Sequence, residues 1–338
     1  MKKKIWLIAS LVIGLVALFF VLRFVSFKEV LDSFMAADTK NIVGYLLISV
    51  SIMIVLAWRW KTILKSQNLK VPFLNIFNYM IVGYGISYLT PSAKIGGEPI
   101  RALLLSNHDI KFPKALSSVI IDKTIEISSS ALFFFMGAIL VVFKFALPGK
   151  TSVMLILSST ILLGGMIFIY HRLASGKGFI LGLFHLLKID RIKSLKITEY
   201  KIKNFEGLII KFFQHDKKYF LMAMLMSLIA WILMFLEFKL VLLMLGQDVS
   251  FTAIFLIVSF LGAAFLFPIP LGLGAVEASQ VFVFPMIGMK SVAGIALALL
   301  TRARDIVWSI IGLILLSYYG LSAKKTIKKA YVNHDMEK

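Results

Sequence analysis

Apolar residues in this chain come in long unbroken runs, not in alternation or narrow stripes. A helix crossing a bilayer needs about 20 apolar residues. Six runs meet that length, at roughly 5–25, 42–60, 115–142, 152–170, 219–245 and 291–319. Two further regions, 73–107 and 251–288, are apolar but interrupted. The first is broken by Thr90-Pro91-Ser92-Ala93-Lys94-Ile95-Gly96-Gly97-Glu98-Pro99, the second by Phe267-Pro268-Ile269-Pro270-Leu271-Gly272-Leu273-Gly274. The pattern predicts an all-α polytopic membrane protein with about six full transmembrane helices. It adds two Gly/Pro-broken re-entrant hairpins, or helix pairs. Broken backbone at membrane depth must line protein or water, which favours hairpins.

Charges between the runs set the expected orientation, since Lys and Arg collect in cytoplasmic loops. Arg59, Lys61, Lys65 and Lys70 follow the second run, and the segment 171–218 is basic from Arg172 to Lys218. The tail, 321–338, opens with Lys324, Lys325, Lys328 and Lys329. All three are expected inside, as is the N-terminus with Lys2, Lys3 and Lys4. The run after those lysines is too long for a signal peptide, so it is expected to stay as a first span. Segment 26–40 is short, mixed in charge and amphipathic; it is expected outside, lying on the membrane surface. Region 73–107 must then begin and end inside, and region 251–288 must begin and end outside.

The two broken regions superimpose at a constant offset of 179 residues. Pro91 falls on Pro270, Glu98 on Glu277, Lys123 on Arg302 and Glu126 on Asp305. Each unit reads span, Gly/Pro break, Glu, short helix, then a long span with a basic–x–x–acidic pair. The repeats cover about 41–145 and 220–324. Their loop charges place one beginning outside and the other inside, so they are inverted. Transporters often use that plan, with substrate near the midplane between repeats.

Composition agrees with a single integral membrane domain. Charged residues make up 16%, against about 25% in soluble domains, and mean hydropathy is +0.91. The net charge of +20 reads as loop topology and contact with anionic lipid rather than nucleic-acid binding. There is no cysteine, which excludes disulfides, thiolate metal sites and a Cys nucleophile. The five histidines show no metal-ligand spacing. There is no P-loop or nucleophile elbow, and Gly272-Leu-Gly-Ala follows no strand. No catalytic residue, metal or cofactor is expected.

The candidate chemistry lies inside the spans. Asp122, Lys123, Glu126, Ser129 and Ser130 share one arc about 120° wide on a helix. Thr301, Arg302, Arg304, Asp305, Trp308 and Ser309 do the same over about 160°. Each charge costs about 2.5–3.5 kcal/mol at the centre of an inserting helix, so these arcs must face protein. In the structural reading, Lys123–Glu126 and Arg302–Asp305 neutralise each other at i,i+3. In the functional one, the arcs line a polar cavity with positive charge to spare for an anionic headgroup. Gly96 and Gly97 permit a sharp turn and the close approach of a ligand. Pro99 suits a first helical turn, Glu98 complements the positive helix end, and Arg101, one turn on, can grip a phosphate. Arg101 and Arg304 lack counterparts in the other repeat. Glu237 and Lys239 are weaker candidates that pair with the other charges or snorkel.

Gly96-Gly97-Glu98-Pro99-Ile100-Arg101, Asp122-Lys123-x-x-Glu126, Pro270-Leu-Gly-Leu-Gly-Ala-Val-Glu277 and Thr301-Arg302-x-x-Asp305 together resemble one family. It is the lysylphosphatidylglycerol synthase transmembrane-region family, also called flippase-like or UPF0104 proteins, and the likeness covers about residues 5–320. Members resemble the membrane flippase half of the bacterial multiple peptide resistance factor, which moves lysyl-phosphatidylglycerol to the outer leaflet; other relatives handle hopanoids or glycolipids. The resemblance implies a multi-pass protein of the cytoplasmic membrane that translocates a phospholipid with an anionic or aminoacylated headgroup, working beside a separate lipid-synthesising enzyme. It implies Glu98, Arg101, Asp122, Lys123, Glu126, Glu277, Arg302 and Asp305 as site positions. The full resistance factor also carries a soluble domain that transfers lysine from lysyl-tRNA. Nothing after Lys324 has the length to form it. Two alternatives stay open: a component of a phosphatidylglycerol lysyltransferase, and a small-solute secondary transporter.

Overall fold

The computed structural model describes residues 38–90, 96–145, 148–178, 199–265 and 275–319. The expected first span, most of the surface segment 26–40, Pro91, Pro270 and the tail lie outside them. Within them the chain is helical. The helices are α1 (Thr39–Ser66), α2 (Phe73–Leu89), α3 (Glu98–Leu105), α4 (Phe112–Lys144) and α5 (Gly149–Ala174), then α6 (Glu199–His215), α7 (Lys217–Met244), α8 (Phe251–Ala264), α9 (Ala275–Met286) and α10 (Ser291–Tyr318).

Local sequence explains the boundaries. The Asp38 side chain accepts from Lys40 N at 3.0 Å and starts α1. Ser250 accepts from Ala253 N at 3.3 Å and starts α8. Pro99 sits in the first turn of α3 beside Glu98, as their order predicts. At the end of α7, Gly246 takes a φ of 71°, a left-handed conformation that costs glycine little. That lets Gln247 N donate to Leu242 O at 2.8 Å, closing the helix.

α1, α4, α5 and α7 are each long and apolar enough to cross a membrane. α10 is 28 residues long but carries Arg302, Arg304 and Asp305 in its middle. α3 has 8 residues and α9 has 12. These lengths correspond to about 12 and 18 Å, well short of a hydrocarbon core of about 30 Å. The broken regions are therefore pairs of helices whose second member cannot cross alone. α5 turns Val153, Met154, Leu157, Ile161, Ile167 and Phe168 outward. A face that apolar belongs in lipid.

The repeat in the sequence is a repeat of helices. α1–α4 and α7–α10 begin at residues 39, 73, 98 and 112, and at 217, 251, 275 and 291. The start offsets are 178, 178, 177 and 179 residues. The equivalent helices α1 and α7 pack antiparallel: Gly44, near the start of α1, meets Leu240, near the end of α7. At the other end Arg59 bonds to Ser227. Equivalent helices packed this way cross a bilayer in opposite senses, as inverted repeats must. The second helix of each repeat packs on the long helix of the other, α2 on α10 and α8 on α4. One apolar core lies mainly in the second repeat, including Phe235, Leu256 and Phe284. Another, including Trp60, Ile76 and Leu104, lies in the first.

The basic segment 171–218 differs from its reading as loop. Residues 199–215 form α6, which packs on α4, α5 and α7. Ile202, Ile209, Phe212 and Phe213 are buried, while Tyr200 is exposed. Its helical periodicity was present in the sequence but masked by the density of lysines.

Candidate functional site

Around its charged stretch α4 is packed on both sides, although Met136 and Phe143 nearer its end are exposed. Ile121 and Ile125 pack with Ile63, Leu173, Ile209 and Phe212. The polar arc faces the other way, towards the middle of the molecule. There a cavity of about 190 Å³ lies between the repeats. Its wall holds Arg59, Arg101, Lys123 and Arg304, and against them Glu98, Glu126 and Glu237. Ser49, Tyr84, Ser87, Tyr88 and Ser227 add hydroxyl groups.

The first repeat contributes a connected ion network. Asp122 is fully buried and bridges two arginines, Arg59 Nε at 2.7 Å and Arg101 Nη2 at 2.9 Å. Arg59 reaches on to Glu126 at 3.4 Å and donates to Ser227 of the second repeat at 3.1 Å. Lys123 pairs with Glu126 at 2.8 Å and with Glu98 at 3.6 Å. The Arg101 guanidinium lies 4.0 Å from the Trp60 ring centre, a favourable cation–π geometry. Its Nε is buried and has no hydrogen-bond partner among the described residues. Glu126, with 38% of its side chain accessible, is the most open charged group on the wall.

The second repeat uses equivalent positions. Arg302 pairs with Glu277, Nε to Oε1 at 2.9 Å, as Lys123 pairs with Glu98 at the matching residues. Arg304 is held between Glu237 and Asp305: Nη1 donates to Glu237 and Nη2 donates to Asp305 at 2.7 Å. Tyr84 of the first repeat donates to Asp305 at 2.6 Å. Trp308 donates to Ser49 at 3.0 Å. Of the expected i,i+3 pairs, Lys123–Glu126 is formed within its helix, whereas Arg302 turns to Glu277 and Asp305 to Arg304.

The glycines serve the chain itself. A Cβ on Gly97 would lie 1.9 Å from the Gly83 carbonyl oxygen, so Gly97 is where α3 presses against α2. Gly97 N also donates to Ser87 Oγ at 2.9 Å. Gly83 in turn leaves room for the Arg101 stem, whose carbons lie 2.5 Å from where its Cβ would be. Gly96 sits in the turn before α3.

Arg59 departs most from its expected role. It reads as a charge at the loop end of a span closing at 60, but α1 runs on to Ser66 and Arg59 is 2% exposed. Its position between Trp58 and Trp60 was the available signal. Glu237 is fully buried and belongs to the site, while Lys239 is tied to Asp248 and to Val249 O at 2.9 Å. Tyr84, Ser87 and Ser227 were not legible, being common residues in apolar runs. Among the described residues no group of His, Cys, Asp and Glu is arranged to hold a metal.

Known proteins resemble this chain over nearly its full length. The family described as the lysylphosphatidylglycerol synthase TM region matches residues 7–312. A UPF0104 membrane protein of Pyrococcus horikoshii is 23% identical over 311 residues, covering 86% of this chain and 90% of the relative. One from Methanothermobacter thermautotrophicus is 24% identical over 333 residues, covering 94% and 96%. One from Methanocaldococcus jannaschii is 24% identical over 303 residues, covering 86% and 88%. With the paired repeats and the matching Glu98–Lys123 and Glu277–Arg302 contacts in place, the chain belongs to the lysylphosphatidylglycerol synthase transmembrane-region family.

Proposed function

We propose that this protein moves a lipid with a phosphate-bearing headgroup, of the lysyl-phosphatidylglycerol kind, between the leaflets of the cytoplasmic membrane. The headgroup passes through the cavity between the repeats while the acyl chains stay in lipid. Both termini lie inside, as the basic segments imply. One observation carries the reading: a cavity walled by four cations and three carboxylates, contributed by both repeats, inside a molecule with lipid-facing helices. Burying so many charges is expensive in a membrane protein and marks a pathway for polar cargo.

Arg101 is the first phosphate contact. Its Nε, without a partner among the described residues, offers a donor without breaking the Asp122 pair. Glu126, the most accessible carboxylate, meets an amine on the headgroup. The test is leaflet exchange of labelled anionic, cationic and isoprenoid lipids in liposomes holding the purified protein. Exchange of a phosphate-bearing lipid should exceed that of empty liposomes, and Arg101→Gln should lower it by about tenfold or more, the scale of one charge-assisted contact. Exchange no faster than in empty liposomes overturns the proposal.

A further inference from the structure

We propose that Glu237, Arg304 and Asp305 form a proton-binding site whose loading and release drive the lipid step. The coupling rests on the lipid-transport reading; the proton site stands on its own geometry.

Glu237 on α7 and Asp305 on α10 are both buried, at 0% and 1% exposure, and both are bonded to the one guanidinium of Arg304. Two ionised carboxylates on one cation leave a net negative charge in a site almost closed to solvent, and such a charge is strongly unfavourable. One bound proton removes it. The first repeat has no such excess of carboxylates. Its Arg59, Arg101 and Lys123 balance Glu98, Asp122 and Glu126. The second repeat sets two cations, Arg302 and Arg304, against Glu237, Glu277 and Asp305, and Arg302 is engaged by Glu277.

The other cation near the group is Arg302, one turn before Asp305 and beside Tyr88 of α2, and it is engaged by Glu277. Ser49 and Tyr45 face the group from α1, and Tyr84 from α2 donates to Asp305. Arg59 of α1, Glu98 and Arg101 of α3, and Lys123 and Glu126 of α4 stand elsewhere in the cavity wall, in their own ion pairs. α8 has no titratable side chain, and α6 meets α7 around Tyr219, Phe220 and Ala223, more than three turns away. On α7 itself, Lys239 is held by Asp248. Glu237 lines the cavity, and its Oε1 is buried without a hydrogen bond among the described residues. That oxygen is where the site can take up a proton. A proton arriving through the cavity forms the carboxyl O–H there, and Glu237 loosens its hold on Arg304. The freed guanidinium turns to a phosphate. Loss of the proton to the other side recaptures Arg304 and expels the headgroup.

Two measurements test this. Infrared difference spectra of the purified protein should show a carboxylic C=O band that titrates and is lost in Glu237→Gln or Asp305→Asn. A titration unchanged in both variants overturns the site. In liposomes, a difference of one pH unit should concentrate the lipid in one leaflet by up to about tenfold per proton carried. Lys239→Gln should respond like the parent protein, and Glu237→Gln should not respond. No response in the parent, or a full response in Glu237→Gln, overturns the coupling. If no lipid exchanges even without a gradient, the transport reading fails, and the infrared titration still decides the proton site.

Discussion

Asp122 is the residue on which the first-repeat network depends. It neutralises Arg59 and Arg101 together, at 0% exposure. Asp122→Ala would strand the buried Arg101 guanidinium and leave Arg59 to Glu126 and Ser227, a loss of about 3–5 kcal/mol for breaking a buried pair on one side. Thermal unfolding of the purified protein in detergent should show that loss. Glu126→Gln removes a charge that is partly accessible and sits at the edge of the network. It should cost stability only about 1 kcal/mol or less while reducing exchange of an amine-bearing lipid relative to a purely anionic one, measured in the same liposomes. The contrast separates a charge that holds the molecule together from one that meets cargo. The i,i+4 logic of a single helix predicted that α4 and α10 turn charges inward. It could not name Arg59 or Glu237 as partners, because those come from helices 63 and 67 residues away.

At the scale of elements, close approach between helices is set by residues without side chains. Gly97→Ala would drive a methyl group into the Gly83 carbonyl, backbone against backbone. It should displace α3 and with it Glu98 and Arg101, costing about 1–3 kcal/mol as overpacking does. Gly165, on α5, has no atom of the described residues within 4 Å of where a Cβ would lie. There Gly→Ala should stabilise the helix by up to about 1 kcal/mol, by propensity alone. Melting curves of the two variants in one detergent should move in opposite directions. The half-helices were visible in advance, since Gly/Pro breaks and Pro99 are local signals. α6 was not, because a high density of lysine looks the same in a loop and on the outer face of an amphipathic helix.

For the whole molecule, inversion is the testable claim. Lys70 follows α1 and Asp248 follows α7, at nearly equivalent places in the two repeats. The native chain has no cysteine, so Lys70→Cys and Asp248→Cys each introduce one thiol. A membrane-impermeant maleimide applied to sealed, oriented vesicles should label the two from opposite sides. Labelling of both from one side would refute the inverted arrangement. The ion pairs named above lie within one repeat, whereas bonds that join repeats, among them Arg59–Ser227, Tyr84–Asp305, Trp308–Ser49 and Asn78–Tyr319, each have a neutral group on at least one side. Relative movement of the repeats would therefore break none of the ion pairs named above.

Hydrophobic run length, loop charge and the 179-residue offset determined by themselves that this is a helical membrane protein made of two related units with charged interiors. Those properties are local or periodic, so they survive in one dimension. Tertiary structure alone decided which charge meets which. Ion pairing in a membrane interior depends on distances between helices far apart in the chain, and on which side chain reaches a neighbour before solvent can. It was packing that moved Arg59 from an expected loop end into the core, turned Arg302 to Glu277, and set two carboxylates on Arg304.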